Sequence, residues 1–274
     1  ASYERDATVE PAIVKATSAT ATVSRRFSRQ TTLLCSYVFE RIRRFDVVDE
    51  RESSRRRSLD LNFTRDTRDF YFNPAKGNYV TTQARYSGGF LGGDDEYWSL
   101  VAAYQSYRRL AAGTVLAWRV RAGYADPFGK SEEGGLPIES RFFAGGGNSV
   151  RGYKENSLGP LRDGNEPMGG RILLLTNLEL RFPIPWLSRY NLGMAAFLDG
   201  GNVWRSLDEI RIDRFAPYGD EKENDALDYR TSVGFGFRYN TPVGPLRLDI
   251  GFPLKRTAEM DYDSWVHISL GQIF

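Results

Sequence analysis

Chemistry at neutral pH most often begins at a histidine or a cysteine, and the 274-residue sequence holds one of each, His267 and Cys35. A lone histidine supports neither a Ser-His-Asp arrangement nor a His-rich zinc site. A lone cysteine forms no internal disulfide and no thiolate metal centre. No catalytic residue, metal or cofactor is therefore expected, and the chain reads as a non-enzymatic protein. Charge adds little: 37 Lys and Arg against 35 Asp and Glu leave a net +2, so no overall field draws the chain to nucleic acid. The run Arg55-Arg56-Arg57 reads as part of a solvated loop, with a polyanion-binding patch as the alternative. The most informative stretch lies in the longest polar connection: Arg141-Phe142-Phe143-Ala144-Gly145-Gly146-Gly147-Asn148-Ser149-Val150-Arg151-Gly152-Tyr153.

The elements that must hold these residues are strands. Apolar and polar residues alternate with period two along nearly the whole chain. Leu246, Leu248, Ile250 and Phe252 oppose Arg247, Asp249 and Gly251; Val233, Phe235, Phe237 and Tyr239 oppose Gly234, Gly236 and Arg238. Leu174, Thr176, Leu178, Leu180 and Phe182 share one face, and Asn177, Glu179 and Arg181 the other. A soluble sandwich would alternate too, with its apolar face inward. A membrane barrel is favoured because the segments run to about 9–14 residues, longer than the usual five or six. Aromatic residues (Trp98, Trp118, Tyr124, Tyr190, Trp204, Trp265) also recur near strand ends, as girdles do. No apolar run approaches the ~18–20 residues of a membrane helix. A mean hydropathy of −0.46 suits a barrel that shows lipid only every second residue.

Short and long linkers alternate. Turns are expected at 28–30, 73–77, 111–113 and 241–244, where Pro and Gly supply the geometry; longer connections are expected near 44–57, 126–169, 205–230 and 256–263, with a brief one near 88–95. Outer-membrane barrels keep short turns in the periplasm and long loops outside. The strands are expected near 1–9, 13–27, 30–43, 57–67, 78–90, 96–109, 114–126, 170–184, 190–204, 231–241, 244–255 and 264–274. The fold class is all-β, an antiparallel transmembrane β-barrel.

With its continuation through Gly159-Pro160, Gly169-Gly170 and Asn177-Leu178-Glu179-Leu180-Arg181-Phe182, the 141–153 stretch resembles the BamA/TamA outer-membrane assembly family. That family belongs to the bacterial surface antigen superfamily, related to the two-partner-secretion transporters, and carries a Val-Arg-Gly-Tyr/Phe motif in this loop. The resemblance implies that the loop, about 127–169, folds back into the lumen and is locked there by Val150, Arg151, Gly152 and Tyr153. Arg151 would meet Asp199, in Phe197-Leu198-Asp199-Gly200-Gly201-Asn202-Val203-Trp204, through a bidentate charge-assisted hydrogen bond. Exchanging the two charges is expected to restore what either reversal alone destroys.

Two further segments are similar to the family. Asp66-Thr67-Arg68-Asp69 with Phe72-Asn73-Pro74-Ala75-Lys76-Gly77 matches a hairpin motif and reads as a periplasmic turn. Val266, Ile268, Leu270 and the terminal Phe274 resemble the β-signal of barrel proteins, and Gly271 stands where the family's last strand can kink. That strand would form one side of a lateral gate at which a client strand pairs by β-augmentation.

The family barrel has sixteen strands preceded by POTRA domains. Five strands follow the loop here and about seven precede it, so residues 1–274 read as the C-terminal part of the barrel, about twelve strands of sixteen, with a twelve-strand barrel closing on residues 1–9 as the alternative. The opening, Ala1-Ser2-Tyr3 without an initiating Met, reads as a domain cut-out. The implied function is assembly or insertion of outer-membrane proteins in the bacterial outer membrane. The implied partners are outer-membrane lipids, unfolded barrel or autotransporter clients, and periplasmic or inner-membrane accessory subunits, without nucleic acid. A two-partner-type secretion pore for a soluble protein and a passive diffusion channel stay open as alternatives.

Overall fold

A computed structural model describes residues 13–45, 53–110, 113–162, 166–184, 186, 190–210, 227–241, 244–256, 260 and 262–271. Eleven strands make one antiparallel sheet: β1 (Ile13–Arg26), β2 (Thr31–Phe45), β3 (Ser53–Asp66), β4 (Gly77–Ser87), β5 (Tyr97–Arg109), β6 (Val115–Pro127), β9 (Ile172–Pro183), β10 (Leu192–Trp204), β11 (Arg230–Thr241), β12 (Gly244–Pro253) and β13 (Trp265–Leu270). The two-residue strands β7 (Leu161–Arg162) and β8 (Glu166–Pro167) form a separate hairpin inside the long loop. Each strand of the large sheet pairs with its sequence neighbour, β6 passing directly to β9, and β1 and β13 are the two end strands. The strand expected near 1–9 lies outside the described residues. The other eleven expected strands are present within a few residues of their expected bounds.

Burial separates the two faces in the sense a membrane requires. On β9 and β10 the apolar Leu178, Leu180 and Leu198 are exposed, while Glu179, Arg181 and Asp199 between them are buried. Leu198 is 44% exposed and its neighbour Asp199 1%. The same inversion holds where Phe235 and Phe237 flank Gly236, and where Leu246 and Leu248 flank the buried Arg247. A soluble sandwich would put these leucines and phenylalanines inside. Here the leucine-rich face points outward, which is stable only against hydrocarbon, and the ladder meets the backbone's hydrogen-bonding need without water.

Two sequence expectations are corrected. Arg55, Arg56 and Arg57 are not in a loop, since β3 begins at Ser53. Alternation turns Arg56 inward, where it is buried among Glu40, Asp95 and Glu139; Arg55 and Arg57 face out. Three arginines in a row conceal the period, and the partners that make the middle one an inner residue come from distant segments. The second correction concerns the turn near 73–77, which extends over residues 67–76. Asp69 Oδ1 accepts hydrogen bonds from the backbone N–H groups of Ala75 and Lys76 at 2.9 and 3.1 Å. Partial burial raises the Asp69 pKa, but these two donors outweigh it and hold the carboxyl below its ordinary value. The turn also reaches the inner face of the sheet, where Asn73 donates to Asn240 at 3.2 Å and the Pro74 carbonyl accepts from Arg181 at 3.5 Å.

Candidate functional site

The connection between β6 and β9 turns back against the concave face of the sheet. Val150 and Tyr153 are 0% and 1% exposed, and with Ala144 and Leu158 they pack on Leu173 and Leu175 of β9 and Val203 of β10. Burying a side chain of this size is worth about 1.5–3 kcal/mol, so these apolar contacts drive docking of the loop. The Tyr153 hydroxyl lies 2.8 Å from the Thr231 carbonyl and 2.9 Å from that of Lys255. Burial raises the pKa of this phenol, which keeps it a neutral donor.

Arg151 stands between these apolar neighbours with no exposed surface. Its Nε and Nη2 donate to the two carboxylate oxygens of Asp199 at 2.6 and 2.9 Å, a two-pronged geometry only arginine offers. Its backbone N–H reaches the same carboxylate at 3.1 Å. The third nitrogen, Nη1, donates to Glu179 at 2.5 Å and lies 3.5 Å from Asp249. The guanidinium carbon is 3.5 Å from the centroid of the Phe197 ring, a cation–π contact. Burial by itself would lower the Arg151 pKa; Asp199 and Glu179 outweigh it and raise the value.

The two acids beyond Asp199 join the lock to a wider network. Glu179 also pairs with Arg181 at 2.7 Å and Arg238 at 3.1 Å. Asp249 pairs with Arg238 at 2.5 Å and lies 3.7 Å from Arg247, which donates to Asn148 in the loop at 3.0 Å. Carboxylates of β9, β10 and β12 thus converge on one arginine of one loop, and Arg238 of β11 joins two of them. Buried ions carry a desolvation cost of several kcal/mol each that pairing only offsets. The network therefore selects one docked position for the loop, and the apolar contacts supply the driving force.

Close backbone approach explains two glycines. A Cβ on Gly251 of β12 would lie 2.4–2.8 Å from Gly152 N, Gly152 Cα and Arg151 C, and one on Gly152 would lie 2.9 Å from the Gly251 carbonyl carbon. Gly152 also takes φ +91°, in the left-handed region. Gly251→Ala is expected to lift the loop tip off β12 at a cost of about 1–3 kcal/mol. Hydrogen exchange at residues 150–153 should rise, with the strand amides unchanged.

The structure thus brings Val150, Arg151, Gly152, Tyr153 and Asp199 together. The residues read as gate and β-signal lie on the end strand: Val266, Ile268 and Leu270 face outward and are exposed. Gly271, at φ +87°, departs from the extended backbone that ends at Leu270. Phe274 lies outside the described residues. Glu179, Asp249, Arg238, Arg247 and His267 also belong to the site, and no motif in the sequence marks them. The available signal was their inner-face parity beside the loop's arginine. His267 Nε2 accepts a hydrogen bond from the Gly152 N–H at 3.1 Å, so the single histidine belongs to the loop contact.

An antiparallel sheet with an apolar outer face, a charged inner face and a long loop packed against that inner face has the build of an outer-membrane β-barrel, although β1 and β13 do not pair among the described residues. Its family follows from comparison with known proteins. The Omp85 superfamily domain matches residues 5–274, and the chain belongs to that superfamily of outer-membrane proteins. It is 33% identical over 234 residues to the outer membrane protein assembly factor BamA of Nitratidesulfovibrio vulgaris, covering 83% of this chain and 27% of that protein. It is 28% identical over 236 residues to a SAM50-like protein of Schizosaccharomyces pombe, covering 84% of this chain and 46% of that one. In fold it is similar to the crystal structure of Haemophilus ducreyi BamA lacking POTRA domains 1–3, with a TM-score of 0.69 at 21% identity over 95% of this chain and 54% of that one. The chain therefore spans between about a quarter and a half of the length of these relatives.

Proposed function

We propose that this chain is the membrane-embedded, non-enzymatic part of an outer-membrane protein assembly factor, in which β13 is the edge that receives client strands. The observation that carries this reading is that the buried Arg151 network holds the long loop against the inner face of the sheet, with the loop tip hydrogen-bonded to β13. A filled lumen suits lateral insertion better than free diffusion. An end strand offers backbone N–H and C=O groups, and a client strand pairing there satisfies both partners where unpaired groups cost several kcal/mol each. Both relatives match more than four fifths of this chain, and one is named for assembly of outer-membrane proteins. The proposed partners are lipids of the outer membrane, unfolded barrel clients and accessory subunits that bring them.

The full-length protein in liposomes, given a urea-denatured outer-membrane barrel, is expected to speed its folding to the heat-modifiable, protease-resistant form by at least tenfold over empty liposomes. Delivery of a soluble passenger across the bilayer without such folding would replace this reading by secretion. A large, steady conductance with neither activity would replace it by passive diffusion.

A further inference from the structure

We infer that His267, assisted by Lys154, is a positioning residue that ties the loop tip to the end strand β13, so that this edge of the sheet moves only when it parts from the docked loop. The inference rests on the reading of β13 as the client-receiving edge. His267 lies on the inner face of β13 and is 8% exposed. Accepting the Gly152 N–H at Nε2 requires a neutral ring with its proton on Nδ1. The contact falls one residue from Arg151, so the groups that fix the guanidinium also fix the donor that holds the strand.

A second attachment follows in sequence. The Lys154 N–H donates to the Tyr262 hydroxyl at 3.3 Å, and the Lys154 ammonium sits 5.2 Å from the centroids of both the Tyr262 and Trp265 rings. Those rings pack edge to face at 5.2 Å, just before and at the start of β13. The loop is thus held to the wall by Asp199 and Glu179 and to the edge strand by His267, Tyr262 and Trp265. Separating β13 from the loop breaks a hydrogen bond to a buried N–H together with a cation held by two rings. Moving both as one body would instead drag Arg151 off its carboxylates. Parting β13 from the docked loop is the lower-cost route, and the His267 and Lys154 contacts set what it costs.

Two measurements on the full-length protein in liposomes test this. Trypsin cleavage after Arg151 and Lys154 reports undocking of the loop. His267→Leu is expected to raise it about fivefold to tenfold, as loss of one buried hydrogen bond shifts an equilibrium, with the heat-modifiable mobility of the barrel retained. His267→Gln, which keeps an acceptor, is expected to return it close to the parent value. Equal cleavage in all three proteins would overturn the tie.

The second measurement fixes the contact covalently. A Cβ on Gly147 would lie 3.3 Å from the His267 Cβ, near the ~3.5–4.5 Å span of a disulfide. Gly147→Cys with His267→Cys, in a Cys35→Ser background, is expected to lose at least nine-tenths of client insertion when oxidised and to recover it when reduced. Equal insertion in both states would show that the edge moves without parting from the loop and overturn the inference. Absence of insertion in the parent protein would instead count against the assembly reading, and trypsin cleavage would then decide the tie on its own.

Discussion

Glu179→Gln is expected to destabilise the folded barrel by roughly 3–5 kcal/mol, the scale set by removing one member of a buried charge network. Glu179 is fully buried and within 3.1 Å of Arg151, Arg181 and Arg238. Neutralising it leaves Arg151, Arg181, Arg238 and Arg247 facing Asp199 and Asp249 alone. The glutamine preserves volume, so the loss is electrostatic and leaves no cavity. Asp199→Asn is expected to cost less, because Asp199 forms its ion pair with Arg151 and leaves the Glu179 pairs to Arg181 and Arg238 in place. Urea titration of the heat-modifiable form in detergent measures the difference. Glu209→Gln serves as the control: its partner Arg205 is 57% exposed, and such pairs contribute about 0–1 kcal/mol. A Glu179→Gln midpoint equal to that of the control would remove Glu179 from the centre of the network.

The sheet was legible because alternation survives on nearly every strand: Leu178, Glu179 and Leu180 state their faces by type alone. The same rule failed at Arg55–Arg57, where three identical long side chains hide the period, and it set the start of β3 four residues late. The Arg151–Asp199 pairing came from resemblance, since nothing in the spacing of residues 151 and 199 brings them together. Parity places Glu179, Arg238 and Asp249 on the inner face, as it does every second residue. Which of them meet is decided by register and by how the sheet curls around the loop. Phe197 pairs with Glu179 and also with Gly234, and Gly236 pairs with Asp249; these offsets bring the acids of β9, β10 and β12 around one guanidinium. The role of Gly251 was hidden for the same reason, because a glycine that admits another backbone looks in sequence like any weak position in a strand. The contact of His267 with Gly152 was hidden as well, because it joins residues 115 positions apart.

The exchange Arg151→Asp with Asp199→Arg is expected to fail to restore function, contrary to what an isolated pair would give. An isolated pair has the same attraction in either order. Here the loop residue faces two further carboxylates, with Glu179 at 2.5 Å and Asp249 at 3.5 Å from Arg151 Nη1. A carboxylate at 151 would turn both attractions into repulsions, each of about 4 kcal/mol at ~4 Å with an effective dielectric constant near 20. Its shorter side chain would relieve part of this by retreating, and would lose the fork to residue 199 in doing so. Arg151→Lys is expected to fail as well, since one compact ammonium cannot reproduce the planar fork on Asp199 together with the bond to Glu179. Client insertion and trypsin cleavage of the loop are expected to match between the exchanged protein and the single Arg151→Asp variant. Recovery in the exchange would reduce the network to a pair and strip Glu179 and Asp249 of any part in docking. Neutralising those two acids in the exchanged background would relieve the repulsion, yet it would leave Arg181, Arg238 and Arg247 buried without the carboxylates that hold them. No change confined to residues 151 and 199 therefore rebuilds the lock, because four strands supply the charges that define it.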